Sequence, residues 1–245
     1  VSVNLNYGAI KEYSKNPSYL QYQGSPILLI GGTDDENVYQ WPSSAKKKQL
    51  DTLAACGGNY DRCTMSYRDE GNAAPFKKLT NGKYDLEQWN SDFWSRFKEY
   101  LRLCKQRNII VQIEFWATHD LSKGGWANMH PFCPKNNVNY GTKPDTVLDN
   151  VGVYPWSRKN PFYTTVPALK NDRKVLKYQK AFVDKILSYS LNFDNIIYCM
   201  DNEYFPVQPV EWPQDWIEYV KGKTAAKGKS VLLGQMFQSR RINRL

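Results

Sequence analysis

An α/β fold built on a parallel sheet is what this 245-residue chain predicts. Three observations carry it: five short apolar runs, helical periodicity in the segments between them, and polar clusters that recur just after the runs. The expected strands are Ile27–Ile30, Tyr60–Met65, Ile109–Phe115, Ile196–Met200 and Val231–Met236. Runs that are apolar rather than alternating suit strands buried on both faces, the usual situation of parallel strands.

Four helices fit between and after them. Ser43 suits an N-cap for a helix running through Leu50 and Leu53 to a stop at Gly57-Gly58. From Leu86 to Arg107, apolar residues Trp89, Phe93, Phe97, Leu101 and Cys104 recur at spacings of three and four, and from Pro167 to Ser190 the stripe is Val175, Tyr178, Phe182 and Ile186. The last helix spans about Gln214 to Gly228. The step from the third strand, starting at 109, to the fourth, starting at 196, is too long for a bare strand-helix unit. It holds a stretch, about 117–166, rich in Asn, Pro, Gly, Trp and Tyr, which reads as a structured loop over the sheet end.

Composition narrows the function. Eight Trp, seventeen Tyr and ten Phe exceed what a core asks for, and such an excess can line a concave surface for flat amphipathic ligands. The net charge of +9 would suit nucleic acid, but lysines such as Lys46, Lys47, Lys48, Lys221, Lys223, Lys227 and Lys229 fall mainly on helices, where solvated outer faces are expected. Aromatic and basic residues do not interleave as on an RNA-binding sheet, so no nucleic-acid partner is expected. No apolar stretch reaches the ~18 residues of a membrane span, so no membrane partner is expected either. Five cysteines without paired spacing argue against a disulfide framework or a zinc ribbon. Residue 1 is Val and not Met, which fits removal of a leader and a secreted or extracytoplasmic location.

Chemistry concentrates after the strands. The clusters are Gly31-Gly32-Thr33-Asp34-Asp35-Glu36-Asn37, Ser66-Tyr67-Arg68-Asp69-Glu70, Glu114-Phe115-Trp116 with His119-Asp120, and Asp201-Asn202-Glu203-Tyr204. Repetition at the same end of successive strands is expected where loops build an active site on a barrel of (β/α) repeats. Gly31-Gly32 is not a dinucleotide fingerprint and no phosphate loop is present, so no cofactor is expected. His119, His130 and Cys133 share a loop but fit no metal-ligand spacing, so no metal is expected. What remains is acid/base work by carboxylates beside aromatic rings, the profile of glycosidic bond cleavage. Candidate substrate contacts are Asp34, Asp35, Arg62, Arg68, Trp116, His119 and Tyr204, with Trp126 and Tyr163 from the long loop as further stacking platforms.

With Ile196-Ile-Tyr-Cys-Met-Asp-Asn-Glu203 in view, the chain resembles the clan A glycoside hydrolases, which include cellulases. Leu28-Leu-Ile-Gly-Gly-Thr-Asp-Asp35, Asn59-Tyr-Asp-Arg-Cys-Thr-Met65 and Val111-Gln-Ile-Glu-Phe-Trp116 look like the cellulase-like and apiosidase-like barrels. The resemblance implies a TIM-barrel type fold, Glu203 as general acid/base at the end of the fourth strand, and Asn202 positioning the sugar. Arg62 or Arg68 would be the arginine that contacts the nucleophile.

That clan completes eight units and places its nucleophilic Glu after the seventh strand. Here the fifth strand ends near Met236, so the expectation is a single, incomplete barrel domain over 1–245. Within this chain Glu114, Asp34, Asp35 or Asp69 would supply the second carboxylate. Glu114 is the first choice by its place at a strand end, with a structural ion pair to Arg62 or Arg68 as the alternative. An open sheet leaves an edge and an apolar face to cover, so a homo-oligomer or a further C-terminal segment is expected. The competing functional reading is a non-catalytic carbohydrate-binding or structural protein.

Overall fold

The computed structural model describes residues 9–121, 125–141, 160–204 and 207–236. Its centre is a parallel sheet of four strands: β4 (Tyr60–Thr64), β7 (Ile110–Ala117), β8 (Ile196–Asn202) and β9 (Leu232–Gly234), in spatial order β4-β7-β8-β9. A three-stranded antiparallel sheet of β1 (Lys11–Glu12), β2 (Leu20–Tyr22) and β3 (Ser25–Ile27) precedes it, and a hairpin of β5 (Phe76–Lys78) and β6 (Tyr84–Trp89) follows β4. The helices are α1 (Ser43–Ala55), α2 (Ser91–Gln106), α3 (Gly125–Met129), α4 (Arg173–Ser190) and α5 (Glu211–Ala225).

Four of the five expected strands thus form the parallel ladder, and the first does not. Its Ile27 closes the antiparallel sheet, and only an isolated parallel bridge, Gly31 to Tyr60, joins this segment to β4. Asn59 does the rest. Its N–H donates to the Ile30 carbonyl at 2.7 Å, its side-chain oxygen accepts from Ile30 N–H at 2.8 Å, and its amide donates to the Leu28 carbonyl at 3.0 Å. At Gly31 a Cβ would lie 1.8 Å from the Tyr60 carbonyl oxygen, so only glycine permits this approach.

Residues Leu86 to Trp89, read above as the start of a helix, belong to β6; α2 begins at Ser91 because Asn90 caps it, its side chain accepting from Asp92 N–H at 3.1 Å. Likewise α4 begins at Arg173, with Asp172 accepting from Val175 N–H at 3.2 Å, and not at Pro167. Lys46 departs from its expected solvated face. Its ammonium is buried, paired with Glu99 at 2.9 Å, and burial pulls its pKa down.

Register sorts the inner face of the sheet into rows. Arg62, Gln112, Ile197 and Leu232 are paired neighbours, and one step nearer the strand ends lie Thr64, Glu114, Cys199 and Gly234. Ile197 of the lower row and Ile110 one step below it pack with Ile10 and Tyr22, so the antiparallel strands close the lower end of the inner face. The opposite face meets the helices through Val111, Ile113, Phe115, Tyr198 and Met200, all in one large core with Phe97, Leu101, Val183 and Ile186. No helix among the described residues is long and apolar enough to cross a membrane.

Candidate active site

Glu114 is fully buried at the upper row, and a buried carboxylate must be paired. Arg62 grips it with two nitrogens, Nε to Oε1 at 3.0 Å and Nη2 to Oε2 at 3.3 Å. Gln112 Nε2 donates to Oε1 at 2.9 Å and Thr64 Oγ1 donates to Oε2. The same Arg62 Nη2 donates to Asn202 Oδ1 at 3.1 Å, across from β4 to the end of β8. Three strands are thereby tied through one guanidinium, whose charge-assisted, forked bonds fix the orientation of the Asn202 amide.

Glu203 follows as the first residue beyond β8. Its side chain is exposed and its backbone adopts φ +59°, a left-handed conformation uncommon for a residue with a Cβ. Such conformations cost of order 1–3 kcal/mol and persist where their surroundings hold them. The hold comes from both sides: Thr118 N–H donates to the Asn202 carbonyl at 3.3 Å, and Tyr204 N–H donates to the Met236 carbonyl at 3.0 Å.

A second arginine organises the neighbouring loops. Arg68 donates to Glu36 through Nη2 and to Ser66 Oγ at 3.2 Å, and lies 3.7 Å from Asp120 and 3.8 Å from Asp69. Burial opposes ionisation of Glu36, yet the hydrogen bond and charge of Arg68, with the charge of Arg62, hold its pKa below the ordinary value. Asp120 is buried and accepts from Ser66 Oγ at 3.1 Å; burial outweighs the Arg68 charge and pushes its pKa up to about 6. Asp201, also buried, is raised well above the ordinary carboxyl value by burial, against hydrogen bonds from Tyr163 and Thr118.

The structure therefore gathers Arg62, Glu114 and Asn202 into one network and places Glu203 beside it in the chain. Arg68 heads a separate cluster with Glu36 and Asp120, neither chosen from sequence. Both were visible in the strand-end clusters, but nothing in the spacing set them apart from Asp34 and Asp35. Asp34 is exposed; Asp35 is half-buried and turns back to accept from Asn37 N–H at 3.4 Å. His119 is half-buried just beyond β7.

Four aromatic candidates are corrected. Trp116, Trp126, Tyr163 and Tyr204 are at most 3% exposed and cannot present a face to a ligand in this conformation. Trp116 is ringed by Phe132, Phe162, Phe182, Trp212 and Trp216. Tyr204 stacks on Trp212 and donates to the Pro209 carbonyl at 2.6 Å, while the Tyr163 hydroxyl lies 2.9 Å from Thr118 Oγ1. The described parts of the long loop thus extend the one large core that joins the sheet to its helices; residues 142–159 of it lie outside the described residues.

A family model described as a domain of unknown function, DUF6298, matches residues 64–238, which include β4's last residue, β7, β8 and β9. The chain belongs to the DUF6298 family. No curated protein matches the sequence. Among solved structures, the DUF6298 chain superposes on a glycoside hydrolase family 5 mannosidase from Rhizomucor miehei with a TM-score of 0.66 at 13% identity, over 96% of this chain and 57% of the mannosidase. A family 5 glycoside hydrolase from Bacteroides vulgatus gives 0.54 at 10% identity, over 96% and 41% respectively. An endo-1,4-β-mannanase from Rhizomucor miehei gives 0.53 at 12% identity, over 88% and 57%. The DUF6298 chain spans about half the length of these proteins and shares their fold. The fold expected from the sequence is thereby shared with glycoside hydrolases of known structure, as a mixed α/β fold whose parallel sheet is not closed into a barrel among the described residues.

Proposed function

We propose that this chain carries the acid/base half of a glycoside hydrolase site acting on O-glycosidic bonds of an oligo- or polysaccharide. The observation that carries the reading is the Arg62 bridge, which fixes Asn202 at the end of β8 directly before an exposed carboxylate, Glu203. Glu203 protonates the leaving oxygen, a role that substrate favours by covering the carboxyl and removing its water. Asn202, held through its oxygen by Arg62, offers its amide N–H₂ to a sugar hydroxyl. Glu114 accepts four hydrogen bonds and is best used to set Arg62, so it acts as a positioning residue and not as the second carboxylate. Among the remaining strand-end carboxylates, Asp34, Asp35 and Asp69 are the candidates for that role.

The four-stranded inner face is completed by further polypeptide, either a second copy or a continuation of the barrel. Leu28 and Ile30 beside β4, 64% and 53% exposed, are the apolar residues such a partner would cover. A second reading, a carbohydrate-binding barrel without turnover, is favoured by the complete engagement of Glu114.

The test is hydrolysis of a panel of aryl glycosides and manno- and gluco-oligosaccharides. Turnover that falls by a factor of about 10²–10⁴ with Glu203→Gln supports the proposal. Turnover that survives the substitution removes Glu203 from the mechanism. Oligosaccharide binding without turnover by the unsubstituted chain favours the second reading.

A further inference from the structure

Asp61, the second residue of β4, is buried on the helical side of the sheet, on the face opposite Arg62. A buried carboxylate is ordinarily paired with a cation, yet among the described residues Asp61 forms no ion pair, and the Arg62 side chain acts on it only through its charge. Its side-chain contacts are two hydroxyls. Tyr100 Oη of α2 lies 2.7 Å from Oδ2, and Thr33 Oγ1 lies 2.6 Å from Oδ1.

Counting protons shows what these contacts require. Thr33 Oγ1 also lies 2.8 Å from the Asp35 carbonyl oxygen, which can only accept, and a threonine hydroxyl has one proton to give. With Asp61 ionised, both neighbours of Thr33 are acceptors, and one of the two short contacts has no proton in it. With a proton on Oδ1 every contact is filled: the carboxyl donates to Thr33, Thr33 donates to Asp35, and Tyr100 donates to Oδ2. Burial acts in the same direction, pushing the carboxyl up to about 6 from 3.8 against hydrogen bonds from Thr33, Tyr100 and the Arg62 backbone and against the Arg62 charge. Tyr60 and Cys63 on β4, with Tyr100 and Cys104 on α2, are all raised by burial and stay neutral at that pH. Lys46 of α1, which acts on Cys63 and Cys104, is paired with Glu99, and Val111 is the apolar neighbour on β7.

Thr33 belongs to the strand-end loop that carries Asp34, Asp35 and Glu36. One end of this loop hangs on the Gly31 bridge, and the other is tied to β4 by Thr64 N–H, which donates to the Glu36 carbonyl at 2.9 Å. The Thr33–Asp35 bond closes the turn between those ties.

We propose that Asp61 is a proton-held latch on this loop: protonated, it leaves the Thr33 hydroxyl free to hold the Asp35 carbonyl, and ionised, it draws that hydroxyl to itself and loosens the turn. The inference concerns the order of the loop and stands independently of turnover at Glu203.

Two substitutions separate the states. Asp61→Asn imitates the protonated carboxyl at every pH, its amide donating to Thr33 and its oxygen accepting from Tyr100, whereas Thr33→Val removes the hydroxyl altogether. The side-chain ¹³Cγ resonance of Asp61, identified by its loss in Asp61→Asn, should titrate with a midpoint between about pH 5 and 7. Amide exchange at Asn37 and Thr64 is measured as the ratio of the unsubstituted protein to Asp61→Asn at each pH, which cancels the intrinsic pH dependence of exchange. The ratio should be near one at about pH 5 and roughly two- to tenfold at about pH 7.5, the worth of one neutral hydrogen bond. Thr33→Val should exchange faster than Asp61→Asn by that factor at both. The proposal is overturned if the Asp61 midpoint falls outside that range, if the ratio does not rise between about pH 5 and 7.5, or if Asp61→Asn exchanges as fast as Thr33→Val.

Discussion

Replacing Glu114 by Gln is the sharpest probe of the network that positions Asn202. The carboxylate accepts from Arg62 Nε and Gln112 Nε2 on one oxygen, and from Arg62 Nη2 and Thr64 Oγ1 on the other. An amide in the same space keeps one acceptor and turns the other into a donor. With the amide nitrogen turned toward Thr64, whose hydroxyl can rotate to accept from it, one Arg62 bond becomes a donor-donor contact, and the other Arg62 bond and the Gln112 bond fall from charge-assisted to ordinary strength because their acceptor is no longer a carboxylate. A charge-assisted bond is worth about 1.5–3 kcal/mol and a neutral one about 0.5–1.5. Because the Arg62 side chain is 38% exposed and water can reach it, these values are discounted, and we expect a loss of about 2–3 kcal/mol. Urea denaturation measures it. With a slope of about 3 kcal/mol per molar, the midpoint should fall by roughly 0.7–1 M. In a double-mutant cycle with Arg62→Leu, a coupling of about 1 kcal/mol or more is expected. A midpoint shift below about 0.3 M, or additive single substitutions, would refute the claim that Glu114 and Arg62 act as one unit.

Three further outcomes follow from individual residues. Glu203→Gly should relieve the left-handed backbone and raise stability by up to about 1 kcal/mol in thermal denaturation, while abolishing hydrolysis; a loss of stability would mean the conformation carries no strain. Asp120→Asn should change the pH dependence of stability. The folded pKa of about 6 lies above the ordinary 3.8, so between about pH 4 and 6 the folded state holds a proton that the unfolded chain has released, and this contribution is lost as pH rises. The variant should therefore gain on the unsubstituted protein by up to about 1.4 kcal/mol per pH unit across that window, and parallel urea midpoints from pH 4 to 7 would contradict it. Trp126→Ala should cost about 3–5 kcal/mol because the ring is fully buried, whereas a stacking platform would leave stability nearly intact and lose only sugar affinity.

What the sequence disclosed and what it hid have separate physical causes. The runs at Ile109 and Ile196 are legible because strands buried on both faces must be apolar for several residues in succession, and Asn202-Glu203 is legible because it interrupts such a run abruptly. Ile27–Ile30 has the same composition, but its pairing is decided by the antiparallel partners Leu20–Tyr22, a tertiary fact that local pattern does not carry. Leu86–Trp89 fits the helical stripe of the residues behind it, and only the cap at Asn90 separates the two elements. For the aromatics, composition gave the right count and the wrong place. A ring that closes a core and one that receives a sugar are the same residue type, and exposure alone divides them. Glu114 shows the opposite case: a strand-end carboxylate fits either role until its four donors are seen.

The junction between Asn59, Gly31 and the Leu28–Ile30 segment distributes risk unevenly along the chain. A regular strand shares its attachment among many interchangeable peptide groups, so most substitutions along it are tolerated. Here one side-chain amide imitates a missing length of backbone and one glycine allows the single bridge. The backbone junction therefore asks nothing of the side chains along Leu28–Ile30 beyond the apolar character that a covering partner would need, while two positions 28 residues apart, Gly31 and Asn59, should be nearly frozen. Those two are expected to be lost or retained together.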